Sequence, residues 1–154
     1  MFSKIDWPLR AGWIIVVAVA LAFMAIAINT ALNPLSLEED FAGTTFAELQ
    51  AASPQLSDVL RHLYVSIGVL FFGANILVVV LAWKGLARGS RLAWTSLLIL
   101  GVTFLALFLL AHVPIGHTES RHFWVPTTLA VVYLVGLGLA AKPVLSAAGE
   151  GSAP

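Results

Sequence analysis

Residues 63–83 read LYVSIGVLFFGANILVVVLAW, a run of 21 residues that contains no charged side chain. A helix needs about 20 consecutive apolar residues to cross the hydrocarbon core of a bilayer. The run therefore predicts a transmembrane helix. Three further apolar runs of similar length lie at residues 13–32, 92–113 and 124–141. The first is longer than the ~7–15 apolar residues of a signal peptide, so we expect it to be retained.

The composition of the whole chain agrees with this pattern. Of its 154 residues, 60% are hydrophobic and only 10% are charged, whereas a soluble domain carries roughly 25% charged residues. The fold class predicted is all-α: a polytopic membrane protein with a four-transmembrane-helix bundle. We expect one domain at residues 1–145 and a flexible tail at 146–154. The formal net charge of zero indicates no surface for nucleic acid, and the absence of cysteine excludes disulfides and thiolate sites.

The basic residues indicate how the spans are oriented. Six lie at the termini or in the loop at 84–91, and two lie on the other side of the predicted spans: Lys4, Arg10, Lys84, Arg88, Arg91 and Lys142 against Arg61 and Arg121. The positive-inside rule then places both termini in the cytoplasm, in the inner (cytoplasmic) membrane of the cell. Trp83 and Trp94 mark the inner interface. The short turn between them makes the second and third spans antiparallel neighbours.

The first outer loop, with an outer cap predicted at 34–60, has helical signals of its own. Thr45 and Glu48 form a capping-box pattern, which predicts a short helix at about 46–52 with Phe46 and Leu49 facing the bundle. Ser53-Pro54 is typical of the cap and first position of a new helix. We expect that helix to continue into the second span.

Small and polar residues within the spans mark the faces on which helices pack. The candidate helix-packing residues are Gly68, Asn75, Gly101, Tyr133, Gly136 and Ala140. Asn75 and Tyr133 lie near the midplane, so we expect each to hydrogen-bond within the bundle, to the other or to Thr103. Gly68 and the Gly136/Ala140 pair are small enough to admit a helix of another subunit. No charged residue lies deep in a span, which argues against an ion-coupled transporter or a proton pump.

The histidines are the candidate ligands. Residues 112–122 read HVPIGHTESRH, and His112, His117 and His122 offer a zinc or copper site, while His62 and His112 offer axial ligands for haem. The five-residue spacing matches no metal motif, and Pro114 interrupts it. A solvated loop without a cofactor is therefore the main prediction, with metal and haem as alternatives.

Two stretches carry a family resemblance. They are FAGTTFAEL at residues 41–49, which precedes Ser53-Pro54, and RGSRLAW at residues 88–94. Together they resemble small, uncharacterised bacterial four-span integral membrane proteins, in which an acidic, capped first loop precedes a long second helix. The resemblance covers most of the chain. It implies a fold, but no activity and no functional residues.

Three classes of function follow from these features. The first is a non-enzymatic accessory or assembly subunit, surrounded by membrane lipids and packed against other membrane subunits or against itself. The second is a lipid or small-molecule binder with an outer pocket lined by Asn29, Ser66 and Thr128. The third is a redox protein that uses His62 and His112. We expect the first, because no charged residue lies deep in a span, the histidines have only loose spacing, and the four spans carry more apolar surface than one small bundle can bury. Hydrolase or transferase activity is not expected, because no nucleophile, base and orienting group fall together along the spans.

The orientation can be tested with cysteines introduced singly at Ser53 and Ser90, because the chain has no cysteine of its own. A membrane-impermeant maleimide added from outside should label the cysteine at position 53 and not the one at position 90. The opposite pattern would reverse the predicted topology.

Overall fold

The computed structural model describes residues 7–32, 46–114, 118 and 121–146. Within these ranges all regular structure is helical. The α-helices are α1 (Trp7–Leu32), α2 (Phe46–Ala52), α3 (Pro54–Lys84), α4 (Arg91–His112) and α5 (Arg121–Ser146). By length and composition α1, α3, α4 and α5 can each cross a membrane. The prediction of an all-α chain with four membrane-length helices is therefore confirmed.

The long helix α3 contains the second apolar run. Its 31 residues span about 46 Å, which exceeds the ~30 Å thickness of the hydrocarbon core. Pro54 occupies the first turn, as predicted, but the Ser53 side chain makes no capping hydrogen bond. The start of α3 therefore depends on proline, which is tolerated in the first turn of a helix, and not on a serine cap.

The short helix α2 has the bounds that the capping-box pattern predicts, and it packs against the first turns of α3. Leu49 is half-buried, while the side chain of Phe46 and the cap residue Thr45 lie outside the described residues. Ser57 of α3 is fully buried, and its hydroxyl donates to the carbonyl oxygen of Pro54 at 2.8 Å. The expected tail lies outside the described residues from position 147 onward.

Helix α1 occupies the middle of the bundle, with extensive contacts to α3 on one side and α5 on the other. Close approach of the backbones makes both contacts possible. A Cβ atom placed on Gly12 of α1 would lie 2.5 Å from the carbonyl oxygen of Gly136 in α5. One placed on Gly68 of α3 would lie 2.8 Å from the carbonyl oxygen of Ala27 in α1. Glycine is therefore required at both crossings.

Helix α4 is held differently. It packs mainly on α5 and shares few contacts with α3, although a short turn joins the two helices. The turn contains a 3-10 segment at Leu86–Arg88 and Gly89 with a left-handed φ of 73°. Leu86 is fully buried in the core, so it anchors the turn to the bundle. The expectation that the second and third spans are packed neighbours thus holds at the turn and weakens beyond it.

The α1–α5 crossing generates a stability prediction. Gly12→Ala should destabilise the bundle by about 1–3 kcal/mol, because the new methyl group meets a backbone oxygen that cannot rotate away. Gly138→Ala, on the exposed face of α5, is the matched control, since no atom of another described helix lies within 4 Å of the added methyl group. The control should be neutral or stabilising by up to about 1 kcal/mol. Unfolding in detergent micelles measures both, and equal effects of the two substitutions would contradict the crossing.

Candidate functional site between the second and third spans

A half-open cavity of about 70 Å³ lies where α3 and α4 separate, with α1 and α5 behind it. Ten residues from these four helices form its walls: Phe23, Phe71, Ala74, Asn75, Val78, Leu100, Gly101, Phe104, Ala130 and Tyr133. We refer to this cavity as the α3–α4 cleft. Its walls are almost entirely apolar, so the two polar side chains among them decide what it can bind.

Three aromatic rings close the cleft on the side away from the turn that joins α3 to α4. Phe71 of α3 and Phe104 of α4 stack with their ring centroids 5.7 Å apart. Phe23 of α1 meets both rings edge-on, with centroid distances of 5.4 Å. Edge-to-face and offset arrangements at these distances are the favoured geometries for aromatic pairs. The stacked pair therefore joins α3 to α4 beyond the turn.

Asn75 places an amide group in the wall of the cleft. Its side chain is 6% exposed, and its Nδ2 donates to the carbonyl oxygen of Phe71, one turn earlier in α3, at 2.9 Å. Among the described residues no group donates to its Oδ1. A buried acceptor without a donor costs about 1–3 kcal/mol, because its apolar surroundings offer nothing in place of the hydrogen bonds that it would make with water. One residue of the cleft wall, Asn75, thus has an unused hydrogen-bond acceptor.

Tyr133 and Trp94 join α4 to α5 by a reciprocal pair of hydrogen bonds. The Tyr133 hydroxyl of α5 donates to the carbonyl oxygen of Leu97 in α4 at 3.0 Å. The Trp94 Nε1 of α4 donates to the carbonyl oxygen of Leu137 in α5 at 2.9 Å. The absence of a side chain at Gly101 admits the Tyr133 ring, since a Cβ there would lie 2.5 Å from Cε1 of the ring.

These contacts answer the expectation about the midplane polar residues in part. Tyr133 does hydrogen-bond across the bundle, but its acceptor is a backbone carbonyl and neither Asn75 nor Thr103. Asn75 bonds within its own helix. Thr103 lies on the exposed face of α4. The Tyr133 and Asn75 side chains both bond to backbone carbonyl oxygens instead of to side chains. The reason is the rotation of each helix about its axis, which places a carbonyl oxygen closer to each donor than any other polar side chain.

The small residues predicted to mark packing faces are all buried, and their neighbours belong to this chain. Gly136 and Ala140 face Gly12 of α1, and Gly68 faces Ala27 and Ala31 of the same helix. The expectation that these faces admit a helix from another subunit is therefore wrong, because α1 already occupies them.

The candidate histidine ligands are only partly described. His112 ends α4, where its Nδ1 lies 2.8 Å from the carbonyl oxygen of Phe108 and its ring stacks on the Phe108 ring at 4.1 Å. His62 lies exposed on α3. No group of three or more potential metal ligands occurs among the described residues, which do not include His117 or the side chain of His122. Zinc, copper and haem binding at these histidines therefore stay alternatives to a solvated loop.

The cleft is not the pocket that the sequence suggested. Asn29, Ser66 and Thr128, named as an outer pocket, are absent from its walls, and Asn29 and Thr128 are exposed. The sequence also assigned Trp94 to the membrane interface and did not single out Gly12. The sequence could not show the roles of these two residues. A tryptophan at the end of a span can face either lipid or another helix, and so can a glycine that precedes a span, and the sequence is the same in both cases.

Comparisons with known proteins add no further evidence on the site. No protein-family model, no curated protein and no solved structure matches the chain. Function must therefore be argued from the chemistry of the cleft. The described residues in its walls offer apolar surface and one free acceptor, with no carboxylate, imidazole or amine. Such a site is suited to binding.

Removing the hydrogen bonds between α4 and α5 tests this part of the structure. Tyr133→Phe should destabilise the chain by about 0.6 kcal/mol, and by no more than about 1.7 kcal/mol, the range for side-chain hydrogen bonds between membrane helices. Trp94→Phe should cost at least as much, because it also removes buried contacts. Trp83→Phe is its control, since Trp83 is 61% exposed. Unfolding free energies in which Trp83→Phe costs as much as Trp94→Phe would refute the bonded role of Trp94.

Proposed function

We propose that this chain is a non-enzymatic accessory or assembly subunit of the inner membrane, oriented with both termini in the cytoplasm. In this proposal it packs laterally against another membrane protein subunit or against a second copy of itself. The observation that carries the proposal is the α3–α4 cleft, an unfilled gap in the bundle with a buried acceptor in its wall.

The depth of the acceptor favours a protein occupant. Asn75 lies near the middle of the apolar part of α3, where a bilayer contains only hydrocarbon chains. Lipid head groups carry hydrogen-bond donors, but they lie at the interfaces. A transmembrane helix, in contrast, can present a hydroxyl or an N–H at any depth. Polar side chains between helices are worth about 0.6 kcal/mol each, so the donor adds specificity to apolar contact.

The weak attachment of α4 supports the same proposal. It packs chiefly on α5, and much of its apolar surface is exposed. Without water on either side, membrane helices associate through close van der Waals contact and interhelical hydrogen bonds. Helices α3 and α5 each have extensive contacts with α1, and α4 has no comparable neighbour. A helix from another subunit that packs against α3 and α4 would provide α4 with such contacts.

A second candidate function is lipid binding. A shallow apolar groove of about 230 Å³ runs between α1 and α3, near the end of α1 that we predict to be outer. Its walls are lined by small and aliphatic residues and one aromatic ring: Ala27, Ile28, Ala31, Leu32, Gly68, Val69 and Phe72. An acyl chain matches this surface, which has no polar side chain.

Site-specific photo-crosslinking in native membranes distinguishes the two candidates. An amino acid with a benzophenone side chain replaces either Leu100, at the edge of the cleft, or Val102. The Val102 side chain projects about 200° away from that of Leu100 on the same helix. The two residues have similar exposure, 43% for Leu100 and 50% for Val102. A partner subunit or second copy should give one protein adduct of discrete mass at position 100 and only lipid adducts at position 102. Lipid adducts at both positions would contradict the subunit proposal and favour lipid binding.

A further inference from the structure

We propose that the occupant of the α3–α4 cleft is a second copy of this chain, whose Thr103 hydroxyl donates to Asn75 Oδ1. This inference rests on the proposed function and names the partner. It joins two facts about the described residues: a buried acceptor without a donor, and an exposed hydroxyl in the apolar middle of α4 for which no hydrogen bond is formed.

The size of the cleft limits what can enter it. At about 70 Å³ it has roughly half the volume of an apolar cavity that holds benzene, about 150 Å³. It therefore has room for about three heavy atoms. A helix is about 10 Å wide and stays outside, but one of its side chains can enter. The side chain of threonine has three heavy atoms and supplies the missing donor.

Thr103 lies on the correct edge of α4. It follows Leu100, a residue of the cleft wall, by three positions, so the two side chains are neighbours on the helix surface. A helix that covers the opening of the cleft therefore meets Thr103 as well. Gly101, in contrast, faces the Tyr133 ring on the α5 side.

The depths of donor and acceptor also agree. Asn75 lies nine residues, or about 14 Å, from the inner end of α3 at Lys84, and Thr103 lies twelve residues, or about 18 Å, from the inner end of α4 at Arg91. Two copies inserted in the same membrane have the same orientation, so these depths are directly comparable. The difference of about 4 Å is within the reach of side chains and a modest helix tilt.

Two-fold symmetry makes the contact self-complementary. When Thr103 of one copy reaches Asn75 of the other, rotation about an axis along the membrane normal repeats the bond in the opposite sense. One dimer then satisfies both buried acceptors. The two α4 helices lie side by side at the centre, where each covers the cleft of the other copy.

Disulfide formation between two differently tagged chains tests the contact. One chain carries Asn75→Cys and the other Thr103→Cys, and both are reconstituted in phosphatidylcholine vesicles and oxidised. The mixed disulfide should form in several-fold excess over two matched controls, because a disulfide needs Cα atoms about 4.4–6.8 Å apart. The controls replace Asn75→Cys by Gly73→Cys, on the opposite face of α3, and Thr103→Cys by Thr95→Cys, another exposed threonine of α4.

Energy transfer between labelled chains in the same vesicles tests the hydrogen bonds. Asn75→Leu or Thr103→Val each removes both bonds of a symmetric dimer, and should weaken dimerisation about sevenfold, or about threefold per bond. The double variant should be no weaker than either single one, because the same two bonds are lost. Thr95→Val is the control and should dimerise like the unaltered chain. Losses that add in the double variant would show that Asn75 acts within its own helix, which overturns the inference.

The outcomes separate this inference from the proposed function. If no mixed disulfide exceeds the controls, while position 100 in native membranes is crosslinked to a different protein, the second copy is excluded and the subunit proposal stands. If neither experiment gives a protein contact at the cleft, both are overturned. A mixed disulfide with non-additive losses supports both.

Discussion

The close approach of α1 to two neighbouring helices is the contact on which the rest of the bundle depends. Gly12 against Gly136, and Gly68 against Ala27, bring backbones near enough that a single added methyl group would collide with a carbonyl oxygen. In a bilayer there is no hydrophobic driving force between helices, so such complementarity of shape determines which of them associate. Gly68 of α3 and Gly136 of α5 both lie against α1, whereas Gly73 and Gly138 are exposed. Between α3 and α4 the described glycines give such a close approach at the turn, where Gly85 meets Ala93, and not further along the two helices.

Because α1 packs closely on α3 and α5, helix α4 is attached to the bundle by other contacts. Its small residue Gly101 is occupied by the Tyr133 ring of α5, and Trp94 and Tyr133 hydrogen-bond reciprocally across the same interface. On its other side α4 meets α3 through the stacked rings of Phe71 and Phe104. Next to that pair lies the cleft, and in its wall the Oδ1 atom of Asn75 accepts no hydrogen bond from the described residues. A protein that leaves such a group in hydrocarbon loses stability unless a donor from elsewhere bonds to it, and this is the physical basis of the proposed assembly.

Much of the fold could be predicted from the sequence because length and hydropathy alone determine whether a segment crosses the bilayer. The bounds of α2 followed from the capping-box pattern, and Asn75 and Tyr133 stood out as polar residues in apolar runs. The partners of these residues could not be predicted. Whether Tyr133 meets Asn75, Thr103 or the carbonyl of Leu97 depends on the rotation of two helices about their axes, which hydropathy does not encode. The small residues Gly136 and Ala140 correctly indicated a face on which a helix packs. They could not indicate which helix packs there, because the sequence of such a face is the same whether α1 or a helix of another protein contacts it.

The exposure of the cleft to lipid tests the central claim, that another copy of the chain covers it, most directly. A nitroxide at Ala74, in the cleft wall, reports its contact with oxygen dissolved in the bilayer, and a nitroxide at Gly73, on the opposite face of α3, serves as the reference. Both are measured in the purified full chain as the ratio of lipid to protein is raised. We predict that Ala74 is protected at low lipid content and becomes accessible on dilution, while Gly73 stays accessible throughout. Oxygen accessibility at Ala74 that is high at every ratio, or that changes in parallel with Gly73, would contradict a cleft covered by a second copy.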